Sequence, residues 1–228
     1  MAKKIFITGT GTDIGKTYVS GLLVKKMRGF SLNCGYFKPI LSGALRKGDK
    51  LIPGDCKHVI DIANLDTEPL KCLSYCFEEA VSPHLAAKRA GVEINKTKIL
   101  SDFNNVSKMY DYILIEGAGG ITCPIILNDG ETYLMNDLIK DMKTNILIVA
   151  DGGLGTLNSI LTTVEYALKR NITIKGIILN NYDETNFMHI DNLKMAEKLT
   201  GINVIATVSK NSQNIEITKD IIEGLFEE

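Results

Sequence analysis

The sequence predicts an α/β protein: a doubly wound, mostly parallel sheet with helices on both faces, in a single domain over residues 1–228. Three observations lead there. Strand-like and helix-like segments alternate along the chain, the order that parallel strands joined by crossover helices produce. Several strand candidates are unbroken apolar runs, such as Tyr112-Ile113-Leu114-Ile115 and Ile146-Leu147-Ile148-Val149. A strand reads this way when both faces of its sheet are covered. The first strand candidate also enters a glycine-rich turn that ends at the start of a helical pattern. A chain of 228 residues is long enough for one sizeable domain with a full core, and no repeat, low-complexity tract or linker divides it.

The elements follow in order. Residues 3–8 form the first strand, a β-branched and aromatic run (Ile5-Phe6-Ile7-Thr8). The helical pattern at 16–28 begins directly after the glycine turn. The second strand, 33–38, ends at Lys38. Helical patterns follow at 55–64, 84–90 and 97–108. The strands at 111–116 and 145–150 contain the unbroken apolar runs, with a helix at 135–142 between them. Helices at 156–170, 186–199 and 213–225 alternate with strands at 174–179 and 203–207. Ligands of such sheets gather at the carboxyl ends of the strands. The motifs below fall there, which makes them parts of one site.

Composition excludes several function classes. Hydrophobic residues make up 45% of the chain and charged residues 23%, ordinary values for a globular protein. The formal net charge of −1 implies no general affinity for nucleic acid or an anionic membrane. No apolar run approaches transmembrane length. Met1-Ala2-Lys3-Lys4 leads straight into a strand, with no secretory signal pattern, so a cytoplasmic location is expected. The five cysteines (Cys34, Cys56, Cys72, Cys76 and Cys123) form no Cys-x-x-Cys pair, and their odd count suits free thiols in a reducing compartment. Cys72, Cys76 and His84 lack a nearby fourth zinc ligand.

The most informative stretch is Thr8-Gly9-Thr10-Gly11-Thr12-Asp13-Ile14-Gly15-Lys16-Thr17. Glycines let backbone N–H groups converge on phosphate oxygens. The helix N-terminus adds partial positive charge. Lys16 supplies a full charge for the outer phosphates, and the Thr17 hydroxyl suits Mg²⁺. The common phosphate loop has a glycine five residues before Gly15; here that residue is Thr10, flanked by Gly9 and Gly11. The loop is therefore a variant that narrows the family. It points to a nucleoside triphosphate.

A second segment is Asp111-Tyr112-Ile113-Leu114-Ile115-Glu116-Gly117-Ala118-Gly119-Gly120, an apolar strand ending in one carboxylate. A strand-end acid opposite a phosphate loop is placed to reach Mg²⁺. The glycines after it permit close approach of a ligand. In Lys38-Pro39-Ile40-Leu41-Ser42-Gly43, Lys38 ends a strand on the ligand side, where an ammonium stabilises anionic groups. A solvated lysine after a strand is the competing reading. Asp55 reads both as a helix N-cap and as a carboxylate facing a metal. Asn180 ends a strand; its amide suits an adenine edge and equally suits a turn.

Together these segments resemble the dethiobiotin synthetases. The resemblance rests on the loop from Thr8 to Thr17, on Lys38-Pro39-Ile40-Leu41-Ser42-Gly43, Ser82-Pro83-His84, Glu116-Gly117-Ala118-Gly119-Gly120 and Leu154-Gly155-Thr156-Leu157-Asn158. It covers most of the chain in order and spacing, and it implies a phosphate-loop fold. It further implies formation of a ureido ring from 7,8-diaminopelargonate, CO₂ or bicarbonate, and ATP. A carbamate and a carbamic–phosphoric anhydride would be the intermediates, with Mg²⁺ as cofactor. By resemblance Lys16, Lys38 and Thr12 are catalytic. Gly11, Thr12, Asp13, Ile14, Gly15, Lys16, Thr17, Tyr18 and Asn180 bind the nucleotide. Thr17, Asp55 and Glu116 hold the metal. Thr12, Lys38, Ser42, Glu116, Gly119, Thr156 and Asn158 bind the substrate, the last two from the other subunit of a homodimer.

Two departures stand out. Asp13 occupies a position where the family often has Glu, which shortens the reach. Ser209 stands where many members have a proline that helps frame the base, which leaves nucleotide preference open, and the role of Cys123 is also open. The chief alternative is a partner-regulated switch ATPase of the chromosome-partitioning class, which shares the fold class. Those loops usually carry an early lysine in Lys-Gly-Gly, and Thr8-Gly9-Thr10-Gly11 has none. Cobyrinate-type amidoligases carry an additional glutaminase domain, for which 228 residues leave no room.

Overall fold

The computed structural model describes residues 2–227. The chain runs β1 (Lys3–Gly9), α1 (Lys16–Gly29), β2 (Cys34–Ser42), β3 (Leu45–Lys47), β4 (Lys50–Ile52), α2 (Gly54–Ala63) and β5 (Leu73–Phe77). It continues with α3 (Pro83–Ala90), α4 (Lys96–Ser107), β6 (Tyr112–Gly120), β7 (Pro124–Leu127), β8 (Thr132–Leu134), α5 (Met135–Asp141) and β9 (Asn145–Asp151). It ends with α6 (Thr156–Lys169), β10 (Ile174–Asn180), α7 (Phe187–Thr200), β11 (Val204–Val208) and α8 (Lys219–Leu225). Seven strands form one sheet in the order β11-β10-β9-β1-β6-β2-β5. Every pairing in it is parallel.

Strand periodicity divides the core in two. Ile5 and Ile7 of β1 point to one face with Leu114 of β6 and Leu147 and Val149 of β9, where α1, α2 and α8 pack. Phe6, Ile113, Ile115, Ile146 and Ile148 point to the other, beneath α3, α4, α5 and α6. Burial on both faces explains why β6 and β9 read as continuous apolar runs rather than alternating ones.

Helix boundaries follow local chemistry. Asn95 caps α4 by accepting from the Lys98 N–H, and Asn186 caps α7 by accepting from Met188 N–H. Pro83 opens α3, and Gly91 closes it in the left-handed region.

Three expectations are corrected. The last helix was expected over 213–225 and begins at Lys219, because Thr218 caps it by accepting from Ile221 N–H. Ile215 and Ile217 are buried in loop backbone before that cap, so their apolar signal is not helical. The second strand was expected to end at Lys38 and runs to Ser42. Its partner changes there: β2 pairs with β6 through Phe37 and with β5 from Lys38 onward. Pro39, which has no N–H for a ladder, sits at that changeover. Finally, β5 and the hairpins β3–β4 and β7–β8 were not expected. β5 is a sheet edge with one partner, and the hairpin strands are three or four residues long, too short for a periodic signal.

Candidate functional site

The carboxyl ends of β1, β2 and β6 converge on a cavity of about 560 Å³. It is lined by Thr12, Asp13, Gly15, Lys16, Thr17, Tyr18, Lys38, Ser42, Asp55, His58, Glu116, Gly117, Ala118 and Gly119. Three separate motifs of the sequence thus meet in one place, at the central strand of the sheet.

The phosphate loop is shaped by residues that tolerate unusual backbone. Gly15 has φ +88 and is the residue before α1; a Cβ there would lie 2.1 Å from the Asn180 amide nitrogen. Asp13 has φ +57, a region that Asp enters more readily than Glu. That is a conformational reason for the shorter acid at this position. Lys16 is buried, and its Nζ donates to the Gly11 carbonyl at 2.7 Å. Burial pulls its pKa down, Glu116 opposes that shift, and the net direction is downward.

Opposite the loop stands a buried charge network. Glu116 is 0% exposed and accepts three hydrogen bonds: from Thr17 Oγ1 at 2.7 Å and Lys38 Nζ at 2.7 Å, both to Oε1, and from the Tyr36 hydroxyl at 2.8 Å to Oε2. Lys38 is 4% exposed, and its Nζ lies 2.8 Å from Asp55 Oδ2 as well. Burial alone would lower the Lys38 pKa; Glu116 and Asp55 outweigh it and raise it, so Lys38 stays an ammonium. The solvated reading of Lys38 is therefore overturned. Asp55 is not the N-cap of α2 either: Pro53 holds that position, Asp55 lies in the first turn, and its carboxylate goes to Lys38.

Thr17, Asp55 and Glu116 offer hard oxygen donors around a point that already accommodates positive charge, the Lys38 ammonium between two carboxylates. That donor set fits Mg²⁺, which takes few carboxylates and completes its shell with phosphate and water oxygens. Among the described residues, no group of three or more His, Cys, Asp and Glu side chains is arranged as a metal cluster. The five cysteines are unpaired. Burial pushes the Cys34 thiol up to about 12 and the Cys72 thiol up to about 11, which keeps them protonated.

Not every expected residue lines the cavity. Gly11 and Ile14 do not line it; their carbonyls accept from Lys16 and Asn180. Asn180 is buried at the end of β10, and its Nδ2 donates to the Ile14 carbonyl at 3.0 Å, leaving Oδ1 without a partner. The side chain thus braces the phosphate loop. Thr156 and Asn158 begin α6 outside this cavity; the Thr156 hydroxyl is buried without a partner and Asn158 is exposed. The Tyr18 hydroxyl donates to the Ser212 carbonyl, in the loop after β11 that Ser209 opens. Cys123 sits behind the glycine run, its Sγ 3.0 Å from where a Cβ on Gly119 would be.

Two residues went unnoticed in the sequence. Tyr36 lies two before Lys38 on the same strand, so alternation puts both on one face, a signal that was available. His58 lies three after Asp55 on α2 and so shares its side of the helix.

The family model described as an AAA domain matches residues 3–218. A Clostridium botulinum protein named ATP-dependent dethiobiotin synthetase is 50% identical over 204 residues, covering 90% of this chain and 89% of its own. The protein of that name from the Loch Maree strain is 46% identical over 228 residues, with both chains fully covered. Among solved structures, a ParA family ATPase from Chlorobium tepidum has a TM-score of 0.53 at 14% identity, covering 99% of this chain and 98% of its own. The MinC:MinD cell division complex from Aquifex aeolicus gives 0.54 at 13% identity, covering 99% and 87%. These distant structures speak to the fold alone.

Proposed function

The chain belongs to the ATP-dependent dethiobiotin synthetase family, and we propose that its phosphate-loop cavity is where 7,8-diaminopelargonate, CO₂ and ATP react. It is an ATP-dependent ligase of biotin biosynthesis. The observation that carries the detailed reading is the buried ammonium of Lys38, held between Asp55 and Glu116 across the cavity from Lys16. A reaction whose intermediates are all anionic needs fixed cations of this kind more than it needs a nucleophile.

The proposed sequence balances without a covalent enzyme intermediate. One substrate amine adds to CO₂ and loses a proton, giving a carbamate. A carbamate oxygen attacks the γ-phosphorus of ATP, and ADP leaves. The second amine attacks the carbonyl of the resulting carbamic–phosphoric anhydride and loses a proton, the ring closes, and phosphate departs. Lys16 and Lys38 stabilise the carbamate and the phosphoryl group in flight. Thr12 and Ser42 orient the diamine and carbamate, and Gly119 bounds that space. The backbone from Gly11 to Tyr18 cradles the phosphates, and Asn180 is the residue assigned to the base. Thr17, Asp55 and Glu116 would hold Mg²⁺, which would supply positive charge against the triphosphate.

The active unit in this reading is a homodimer in the cytoplasm, each chain one domain. The helix start at Thr156 and Asn158 serves the substrate carboxylate of the other subunit. Among the described residues, no helix is long and apolar enough to cross a membrane. The switch-ATPase alternative draws only on the shared fold, at 13–14% identity.

The test is stoichiometric. ADP release should require both 7,8-diaminopelargonate and bicarbonate, across a panel of nucleoside triphosphates that also reveals base preference. ADP release independent of the diamine would overturn the reading.

A further inference from the structure

We infer that Tyr36 is a positioning residue for the metal site: its hydroxyl fixes the rotation of the Glu116 carboxylate so that only Oε1 faces the cation. This rests on the reading of Glu116 as a metal ligand. Glu116 has no solvent exposure, so its orientation is set by its donors rather than by water. Those donors divide by oxygen. Tyr36 alone binds Oε2, at 2.8 Å, while Thr17 and Lys38 both bind Oε1, at 2.7 Å.

The division has a chemical meaning. Oε1 is grouped with Thr17 and Lys38, which line the cavity, whereas Tyr36 does not line it. Tyr36 is 1% exposed and packs in the core with Cys34 and Leu114. A phenol facing a carboxylate oxygen is the donor of that pair. The carboxylate is therefore anchored from behind by a rigid neutral donor. A monodentate contact through Oε1 is then ready for a hard cation, without a rotation at the moment of binding. Remove the hydroxyl, and Oε2 is a buried acceptor with no donor in the protein. The carboxylate then turns to share Thr17 and Lys38 between its two oxygens.

The test uses Tyr36→Phe, which keeps the ring in the core and removes one oxygen. Mn²⁺ serves as the probe, titrated by electron paramagnetic resonance in the presence of a non-hydrolysable ATP analogue, so no turnover is involved. Mn²⁺ affinity should fall about 10–100-fold, with affinity for the analogue in metal-free buffer unchanged. Adding Tyr36→Phe to Glu116→Gln should cost nothing further, because the phenol acts through that carboxylate. Circular dichroism and melting curves report whether each variant folds. A Mn²⁺ affinity unchanged in Tyr36→Phe but lowered in Glu116→Gln would overturn the positioning role alone. An affinity unchanged in both would overturn the metal reading of Glu116, and this inference with it. A loss in the double variant equal to the sum of the two single losses would mean that the Tyr36 hydroxyl acts independently of Glu116, and would overturn the positioning role.

Discussion

The phosphate-loop wall and the start of α6 stand at the same end of the sheet and are built on opposite plans. At the wall, donors and acceptors are matched within the chain: Glu116 has three donors and Lys38 two carboxylates. At α6, the Thr156 hydroxyl is buried without a partner, Asn158 is exposed, and Leu154 just before the helix is 93% exposed. Phe187, opening the next helix, is 86% exposed. The wall is preorganised by its own contacts, so its side chains need not reorient for an anion. The helix start has a partnerless buried hydroxyl and exposed apolar neighbours, features that suit a docked surface. If the homodimer proposed above forms there, substitutions in the wall should act within one chain, and substitutions at α6 across two.

The largest effect should come from Lys16. Lys16→Ala removes a buried ammonium that is proposed to face the phosphates, and turnover should fall by about 10³-fold or more. Its one hydrogen bond is to the Gly11 carbonyl of its own loop, so the melting temperature should move little. Near-normal turnover with an intact circular dichroism spectrum would break the assignment of this loop as the reacting centre.

Lys38→Met separates the two plans further, because Lys38 serves structure as well as chemistry. Removing it leaves Glu116 buried with Thr17 and Tyr36 as its remaining donors. Turnover should fall about 10²-fold. Stability should fall by about 3 kcal/mol, the low end for an uncompensated buried partner. Denaturant titration checks the second number. A loss of turnover with unchanged stability would mean that the ion pairs with Glu116 and Asp55 contribute nothing to the fold.

How much of this was legible from sequence follows from the same physics. Glu116 and Lys16 were legible because each lies at the end of a strand or loop whose local pattern is complete within ten residues. The sheet was legible where both faces are buried, as in β6 and β9, and invisible at the β5 edge. Tyr36 was missed because an apolar strand already accounts for a tyrosine; alternation puts it on the face of Lys38, but its partner Glu116 is set by β2 and β6 lying side by side, with Tyr36 opposite Leu114. Asn180 was read toward the base, and its brace on Ile14 depends on a contact between residues 166 apart in sequence. Asp55 was ambiguous because an N-cap and a first-turn acid differ by two positions, within the error of any sequence-based helix boundary.

The smallest single effect, and the sharpest test of the contrast, concerns Asn158. Asn158→Asp places a negative charge where the substrate carboxylate is proposed to sit. The diamine KM should rise about tenfold, a change of about 1.4 kcal/mol, with kcat nearly unchanged because the reacting centre is untouched. If the α6 start serves the other subunit, each site draws Lys16 from one chain and Asn158 from its partner. Mixing Lys16→Ala chains with Asn158→Asp chains then concentrates both lesions in one site of each heterodimer and leaves the other site intact. With equal amounts and free exchange, half the dimers are mixed, and activity at low diamine should return to about a quarter of wild type. Two sites built each from a single chain would give only the average of the impaired homodimers. That average, with heterodimers verified by native mass spectrometry, would show that α6 and the phosphate-loop wall work within one chain.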